Sequence, residues 1–167
     1  MRTNHKNEKH LPLYGIGPVI VFGQFLIACG AIVLSYIFKW NCYEYEILNI
    51  PLKIIGVLSI IFGLYLNYSA KHTSKLFENI SENILIQDGV YGWVRNPVYS
   101  AAFFISMGAV CMTNRLLLLV VVGMICWSYM SLLLVVTEEK RLRELYGKQY
   151  EAYCHSVNRC IPWFSKK

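Results

Sequence analysis

The fold class of this chain is decided by residues 98–136, which read VYSAAFFISMGAVCMTNRLLLLVVVGMICWSYMSLLLVV. Arg115 is the only formally charged side chain in the stretch, and the pair Asn114-Arg115 divides it into 16 residues and then 21. A bilayer core of about 30 Å needs roughly 20 helical residues to cross. The stretch therefore predicts a helical hairpin of two membrane spans with a tight polar turn.

Two further apolar runs precede this hairpin. Residues 14–38 carry no formal charge and follow a polar, basic leader, but the run is too long for a signal-peptide core and has no small-residue cleavage site. We interpret it as an uncleaved signal anchor, and residues 52–70 as a second span. The sequence thus predicts one all-α integral membrane domain over residues 1–167, with four transmembrane helices at about 14–38, 52–70, 98–113 and 116–136.

Composition and charge distribution support this class and orient it. The chain is 56% hydrophobic and 16% charged, with a mean hydropathy of +0.41, which excludes a disordered tail, a coiled coil or a secreted disulfide scaffold. Thirteen of its 16 Lys and Arg lie in the N-terminus, the 71–97 loop and the tail after residue 136. Basic loops stay in the cytoplasm, so we expect both termini there, in the plasma or inner membrane if the source is bacterial. Because the excess charge reflects topology, we expect no nucleic-acid partner.

Other potential chemical signals are weak. Three of the six cysteines, Cys29, Cys111 and Cys126, lie in apolar spans, and the spacing of Cys154 and Cys160 fits no common zinc site. We therefore predict no metal site. No Asp, Glu or His lies deep inside a predicted span, which disfavours an ion-coupled carrier.

The functional signal lies in two segments that flank the hairpin, residues 83–97 and 137–164, which we predict to be cytosolic and to bind a cofactor. Arg95 and Glu138 are 43 residues apart, but the hairpin returns the chain to one face and brings them close. Arg95 offers a fork of donors for a carboxylate or phosphate. Glu138 and Glu139 sit at the negative end of a long helix, a placement that requires a cationic partner or ligand.

The tail after this acidic pair predicts an amphipathic helix on the membrane surface. Its apolar face is broken or kinked at Gly147 and consists of Leu142, Leu145, Tyr146, Tyr150 and Tyr153. Glutamates, an arginine loop and aromatic side chains together match the ammonium, carboxylate, ribose, adenine and sulfonium of S-adenosylmethionine.

At these residues the sequence resembles the isoprenylcysteine carboxyl methyltransferase and phospholipid methyltransferase group of membrane enzymes. Three features carry the resemblance, which covers about residues 83–164. They are GVYGWVRNPVYS at 89–100, similar to the family's G-x-Y-x-x-x-R-H-P-x-Y loop, the Glu138-Glu139 pair after a hairpin, and the pattern from Leu142 through Gly147, Tyr150 and Tyr153 to Ile161-Pro162.

The resemblance implies a methyltransferase that moves a methyl group from S-adenosyl-L-methionine to a lipophilic or prenylated acceptor in the membrane lipid, as in carboxylate O-methylation. It implies a set of cofactor-binding residues, namely Asn83, Ile84, Leu85, Ile86, Tyr91, Asn96 and Glu138. It also implies catalytic roles for Arg95, Asn96 and Glu139.

Two departures from the family pattern leave the acceptor open. Asn96 replaces the motif histidine and cannot titrate, and Leu134 stands where carboxyl-directed members carry an arginine. A carboxylate acceptor needs no base at neutral pH, whereas an amine or thiol acceptor does. Two alternatives remain, an NADPH-dependent membrane reductase of the sterol type, with Arg141 and Arg143 on the extra phosphate, and a non-catalytic membrane scaffold.

Overall fold

A computed structural model describes residues 15–39, 46–74, 79 and 84–163 of the chain. These residues form helices and contain no β-strand, which confirms the predicted all-α class. The helices are α1 (Gly17–Ile37), α2 (Glu46–Tyr68), α3 (Pro97–Cys111), α4 (Leu116–Leu133), α5 (Lys140–Tyr146) and α6 (Lys148–Ser156). A π-helical turn at Ser69–Thr73 extends α2, another at Leu134–Glu139 joins α4 to α5, and Gly89–Gly92 form a 3-10 turn.

Three of these helices are long and apolar enough to cross a membrane, so the chain is a multi-pass membrane protein. They are Gly17–Ile37, Ile47–Thr73 and the continuous helix Leu116–Tyr146. The predicted third span is shorter than expected, because α3 has 15 residues and reaches only about 22 Å at 1.5 Å per residue. The described residues therefore support three candidate spans and one shorter apolar helix, and a fourth crossing stays a prediction.

Local sequence signals set most helix boundaries. Pro97 lies in the first turn of α3, where its missing N–H costs nothing. Asn114 adopts a positive φ of 56° in the turn between α3 and α4, and α4 begins two residues later. The start of α2 differs from the expectation: it begins at Glu46 rather than at 52, and Pro51 lies inside the helix. Pro51 interrupts only one hydrogen bond near that end, so the helix extends past it.

The backbones of α2 and α3 are in direct contact at glycines. A Cβ atom added to Gly108 would lie 2.6 Å from the carbonyl oxygen of Gly56, and one added to Gly63 would lie 2.8 Å from that of Ala101. Small residues at such positions let membrane helices pack closely without a hydrophobic driving force from water. This contact holds α3 against α2, and α3 also packs on α1 and α4 through the buried side chains of Ala28, Val110 and Val122.

The tail forms two short helices, and the predicted break at Gly147 is confirmed by its φ of +51°, a conformation that favours glycine. Tyr150 and Tyr153 on α6 are buried in a cluster with Val157, against which Leu85 and Leu142 pack. These tyrosines therefore face the protein. A position of the tail at the membrane surface stays a prediction.

We expect Gly108→Ala to lower the free energy of unfolding by about 1–3 kcal/mol, the usual cost of overpacking. The matched control is Gly30→Ala, because Gly30 lies inside α1 and a Cβ atom there would meet no described residue within 4 Å. Denaturant titration of both variants in detergent micelles measures the difference. Equal stability of the two variants would contradict the close contact of α2 with α3.

Candidate active site

Residues 93–96 pair with the end of the tail. Val94 and Asn158 form a parallel bridge, and the Arg95 amide donates to the Asn158 carbonyl at 2.9 Å. The Asn96 amide donates to the Arg159 carbonyl at 3.2 Å. The two segments singled out by the sequence, one before α3 and one after α4, are therefore in direct contact, as predicted.

Asn96 helps to hold the tail. Its side-chain Nδ2 donates to the Arg159 carbonyl at 3.1 Å, and its own carbonyl accepts a bond from the Ser100 amide at 3.0 Å. Ser100 Oγ lies 2.7 Å from the Cys160 carbonyl, which adds another link between α3 and the tail. The sequence predicts a cofactor-binding and catalytic role for Asn96. In the structure its side-chain amide holds the tail in position.

Glu139 is the centre of a buried ion cluster. Its side chain is 2% exposed, and both carboxylate oxygens accept from Arg159, with Nε at 2.6 Å from Oε1 and Nη2 at 3.0 Å from Oε2. Arg95 Nη1 lies 3.3 Å from the same Oε1. The hydrogen bond to Glu139 raises the pKa of Arg159. The loop, the end of α4 and the tail therefore meet on one carboxylate.

Arg95 has further partners on α6. Its Nη1 lies 3.4 Å from the Tyr150 hydroxyl and contacts the Cys154 sulfur, and its guanidinium carbon lies 5.8 Å from the centre of the Tyr150 ring. Its Nε is buried and has no hydrogen-bond partner among the residues that the structure describes. Arg95 is thus held at one end of its fork.

Glu138 belongs to a second, more open group of residues. The Tyr99 hydroxyl donates to Glu138 Oε1 at 3.4 Å, and Glu138 is only half-buried. Burial, followed by the charge of the Tyr99 phenolate, raises the pKa of Tyr91. The Tyr91 carbonyl accepts from the Tyr153 hydroxyl at 2.6 Å. Tyr91 is thus tied to α6, and Glu138 adjoins Glu139, which meets Arg95 of the same loop, so Tyr91 and Glu138 lie at the same end of the molecule.

Residues 84–87 run beside this group without helical structure. Ile84 is half exposed, Leu85 packs on the Tyr150 and Tyr153 cluster, and Ile86 packs on the cluster that contains Tyr91. Residues 84–87 thus run along the Tyr91 cluster on one side and the Tyr150–Tyr153 cluster on the other, and their contact with a cofactor stays a prediction. Asn83, the remaining residue of the predicted cofactor set, lies outside the described residues.

A hollow of about 420 Å³ opens beside the ion cluster. It is lined by Val135, Glu139, Lys140, Arg143 and Glu144. Val135 is exposed at the end of the long apolar helix that begins at α4. The hollow therefore joins an apolar surface to the buried carboxylate.

Sequence reasoning missed several residues of the site. It required a cationic partner for the acidic pair without identifying one, whereas Glu139 pairs with Arg95 and Arg159. It read Tyr150 as part of a membrane-facing surface and gave no role to Tyr99. The available signal was the buried position expected for Glu139, which demands a cation from a distant segment.

We expect Glu139→Gln to reduce the free energy of unfolding by about 3 kcal/mol, because two arginines lose their shared anion and one is almost fully buried. Glu151→Gln is the matched control, since Glu151 is exposed on α6. Chemical denaturation of both variants in micelles provides the comparison. A Glu139→Gln protein as stable as its control would show that the cluster does not hold the tail.

The comparisons with known proteins agree with one another, because the matched family and the matched relatives are all methyltransferases. Residues 52–149 match the phospholipid methyltransferase family. The chain is 29% identical over 140 residues to the protein-S-isoprenylcysteine O-methyltransferase of Saccharomyces cerevisiae, an alignment that covers 79% of this chain and 58% of the relative. It is 28% identical over 107 residues to the protein of the same name from Schizosaccharomyces pombe, covering 60% and 45% of the two chains.

A third relative of that name, from Dictyostelium discoideum, is 24% identical over 141 residues, covering 79% of this chain and 59% of its own length. The chain thus spans about half the length of the curated relatives it matches. No solved structure matches it. Because the family match extends over more than half of its residues and includes the loop, the hairpin and the acidic pair, the chain belongs to the phospholipid methyltransferase family.

Proposed function

We propose that the protein is a membrane methyltransferase that transfers a methyl group from S-adenosylmethionine to a lipophilic acceptor, by carboxylate O-methylation of the isoprenylcysteine type. The observation that carries the proposal is the convergence of the 84–97 loop with the acidic pair and the tail, in which Arg95 meets Glu139, the Tyr91 carbonyl accepts from Tyr153, and the Tyr99 hydroxyl donates to Glu138. The names of the yeast relatives support the same activity.

The residues of this group fit the methyl donor chemically. Glu138 supplies a half-buried carboxylate for an ammonium or a ribose hydroxyl, and Tyr99 fixes one of its oxygens. The non-helical backbone at 84–87 supplies amides and carbonyls, and Tyr91 supplies an aromatic wall. When bound, S-adenosylmethionine supplies an electrophilic methyl group on its sulfonium.

The titration properties of the site favour an acceptor that is already ionised. Burial raises the pKa of Tyr91, Tyr150 and Tyr153, and it raises the pKa of the Cys160 thiol to about 12. Asn96 cannot titrate, and Glu139 is engaged by two guanidinium groups. These groups make poor general bases at neutral pH. A carboxylate acceptor needs no proton removed, whereas an amine or a thiol does.

Arg95 is the residue we assign to the acceptor carboxylate. Leu134, the position at which carboxyl-directed members carry an arginine, is fully buried among apolar side chains and cannot serve. Arg95 is held by Glu139, Tyr150 and Cys154 through one nitrogen, while its buried Nε has no partner within the described part of the chain. A guanidinium oriented in this way aligns an anion without further reorganisation.

A membrane-soluble acceptor would approach along the apolar surface at Val135, where the hollow beside Glu139 opens. Thirteen of the 16 basic residues lie in the N-terminus, the 71–97 loop and the tail after residue 136. Basic segments stay in the cytoplasm, which supports a cytosolic site with both termini inside. The chain would then orient the acceptor and exclude water from it, with the donor entering from the cytosol.

We expect Glu138→Gln to weaken S-adenosylmethionine binding by about 1.5–3 kcal/mol, the range for a hydrogen bond to a charged group. Isothermal titration of the purified protein measures the affinity, and Glu151→Gln, at an exposed site on α6, is the control. An unchanged affinity would remove Glu138 from the site. Stabilisation of the wild-type protein by NADPH and not by S-adenosylmethionine would favour the reductase alternative.

The class of acceptor is tested by the lability of the product. With a methyl-labelled donor and a farnesylated cysteine acceptor, we expect incorporated label that is released as methanol in mild base, because the product is a carboxyl methyl ester. Label that resists base would instead place the methyl group on the amine of this substrate, because its thiol is already alkylated. Arg95→Lys keeps the charge but loses the planar fork, and we expect it to raise the KM for the acceptor about tenfold or more with little change in donor affinity.

A further inference from the structure

The first turn of α1 lies against Tyr99 and Glu138. A Cβ atom added to Gly15 would be 2.8 Å from Glu138 Oε1 and 3.7 Å from Arg141 Nη1. One added to Gly17 would be 3.0 Å from the Tyr99 hydroxyl oxygen. The backbone of residues 15–17 therefore covers the same phenol–carboxylate pair that the proposed function assigns to the methyl donor.

A side chain at either position would require the pair beneath it to shift. A contact below 3.0 Å to Glu138 Oε1 would force the carboxylate to move, and Gly15 also adopts a φ of +43°, which L side chains rarely take. Gly17 has helical geometry in α1, so the constraint there is the Tyr99 hydroxyl alone. The absence of side chains at Gly15 and Gly17 thus leaves room for the Glu138 and Tyr99 side chains beneath them.

Other contacts fix α1 in this position. Gln24 is fully buried in α1, and its Nε2 donates to the Tyr99 carbonyl at 3.3 Å. Ile20 packs with Leu134 and Cys160, and Ile16 and Tyr99 lie against the same cluster. The first turn of α1 therefore has a defined place over the site. Residues 15–17 lie outside the 52–149 stretch that matches the family.

We propose that Gly15 and Gly17 are positioning residues of the methyl-donor site: the first turn of α1 holds the Tyr99 hydroxyl and the Glu138 carboxylate in the orientation that binds the donor. The inference rests on the proposed role of Glu138. The first helix is then part of the active site, as well as a membrane span.

A double-mutant cycle tests the proposal. We expect Gly17→Ala to weaken S-adenosylmethionine binding about fivefold or more, because the new methyl group displaces the Tyr99 hydroxyl. Tyr99→Phe removes that oxygen, so Gly17→Ala should cause little additional loss in the Tyr99→Phe background. Isothermal titration gives the four affinities, and Gly30→Ala is the control because its added Cβ would meet no described residue within 4 Å.

If the Gly17→Ala protein does not fold, a second double-mutant cycle, between Gly15 and Glu138, tests the same proposal. Gly15→Ala should weaken donor binding, and Glu138→Asp, which shortens the side chain by one methylene, should recover part of that loss in the double variant. Equal losses in both backgrounds, or a Gly17→Ala protein that binds like the wild type, would overturn the positioning role while leaving the methyltransferase assignment intact. A wild-type protein that does not bind the donor would overturn both.

Discussion

The carboxylate of Glu139 needs compensation, because a charge this deeply buried is strongly destabilising unless it is paired and hydrogen-bonded. Arg159 meets it with two hydrogen bonds and Arg95 with a third contact. The two cations come from the tail and from the loop before α3, and the acid comes from the end of α4. Satisfying one buried charge therefore fixes three distant segments in a single arrangement, and the site is built on that arrangement.

The two neighbouring glutamates have different surroundings for a geometric reason. Consecutive residues of a helix point in different directions, and the pair closes the π-helical turn Leu134–Glu139, a feature often found at functional sites. Glu139 points into the ion cluster. Glu138 points towards Tyr99 and the first turn of α1, where it stays half-buried. One acid thus stabilises the fold, and the other is free to meet a ligand in the proposed activity.

The sequence predicts the features that depend on local residue patterns. It also predicts the contact that arises because the hairpin brings the chain back to its starting face. Apolar length predicts the helices, Pro97 and Asn114 predict the limits of α3, and Gly147 predicts the break in the tail. The hairpin predicts that the loop and the tail meet. Local signals do not reveal that Arg159, rather than a nearer base, pairs with Glu139, because the pairing follows from the bridge of Val94 with Asn158.

The part played by α1 is also hidden in the sequence, since its residues read as a uniform apolar span. The close approach of Gly15 and Gly17 to Glu138 and Tyr99 becomes visible only in the structure. The close packing of α3 on α2 is another such feature, because glycines on both helices bring the two backbones together. Such features arise from packing between segments, and a residue pattern within one segment does not encode them.

Hydrogen–deuterium exchange of the protein in lipid nanodiscs, with and without S-adenosylhomocysteine, tests the central claim most directly. If the loop before α3 and the segment after α4 form one donor site, the ligand will slow exchange in residues 84–96 and also near Glu138 in the same experiment. Protection confined to one of the two segments, or protection of neither while the ligand is bound, would contradict the account.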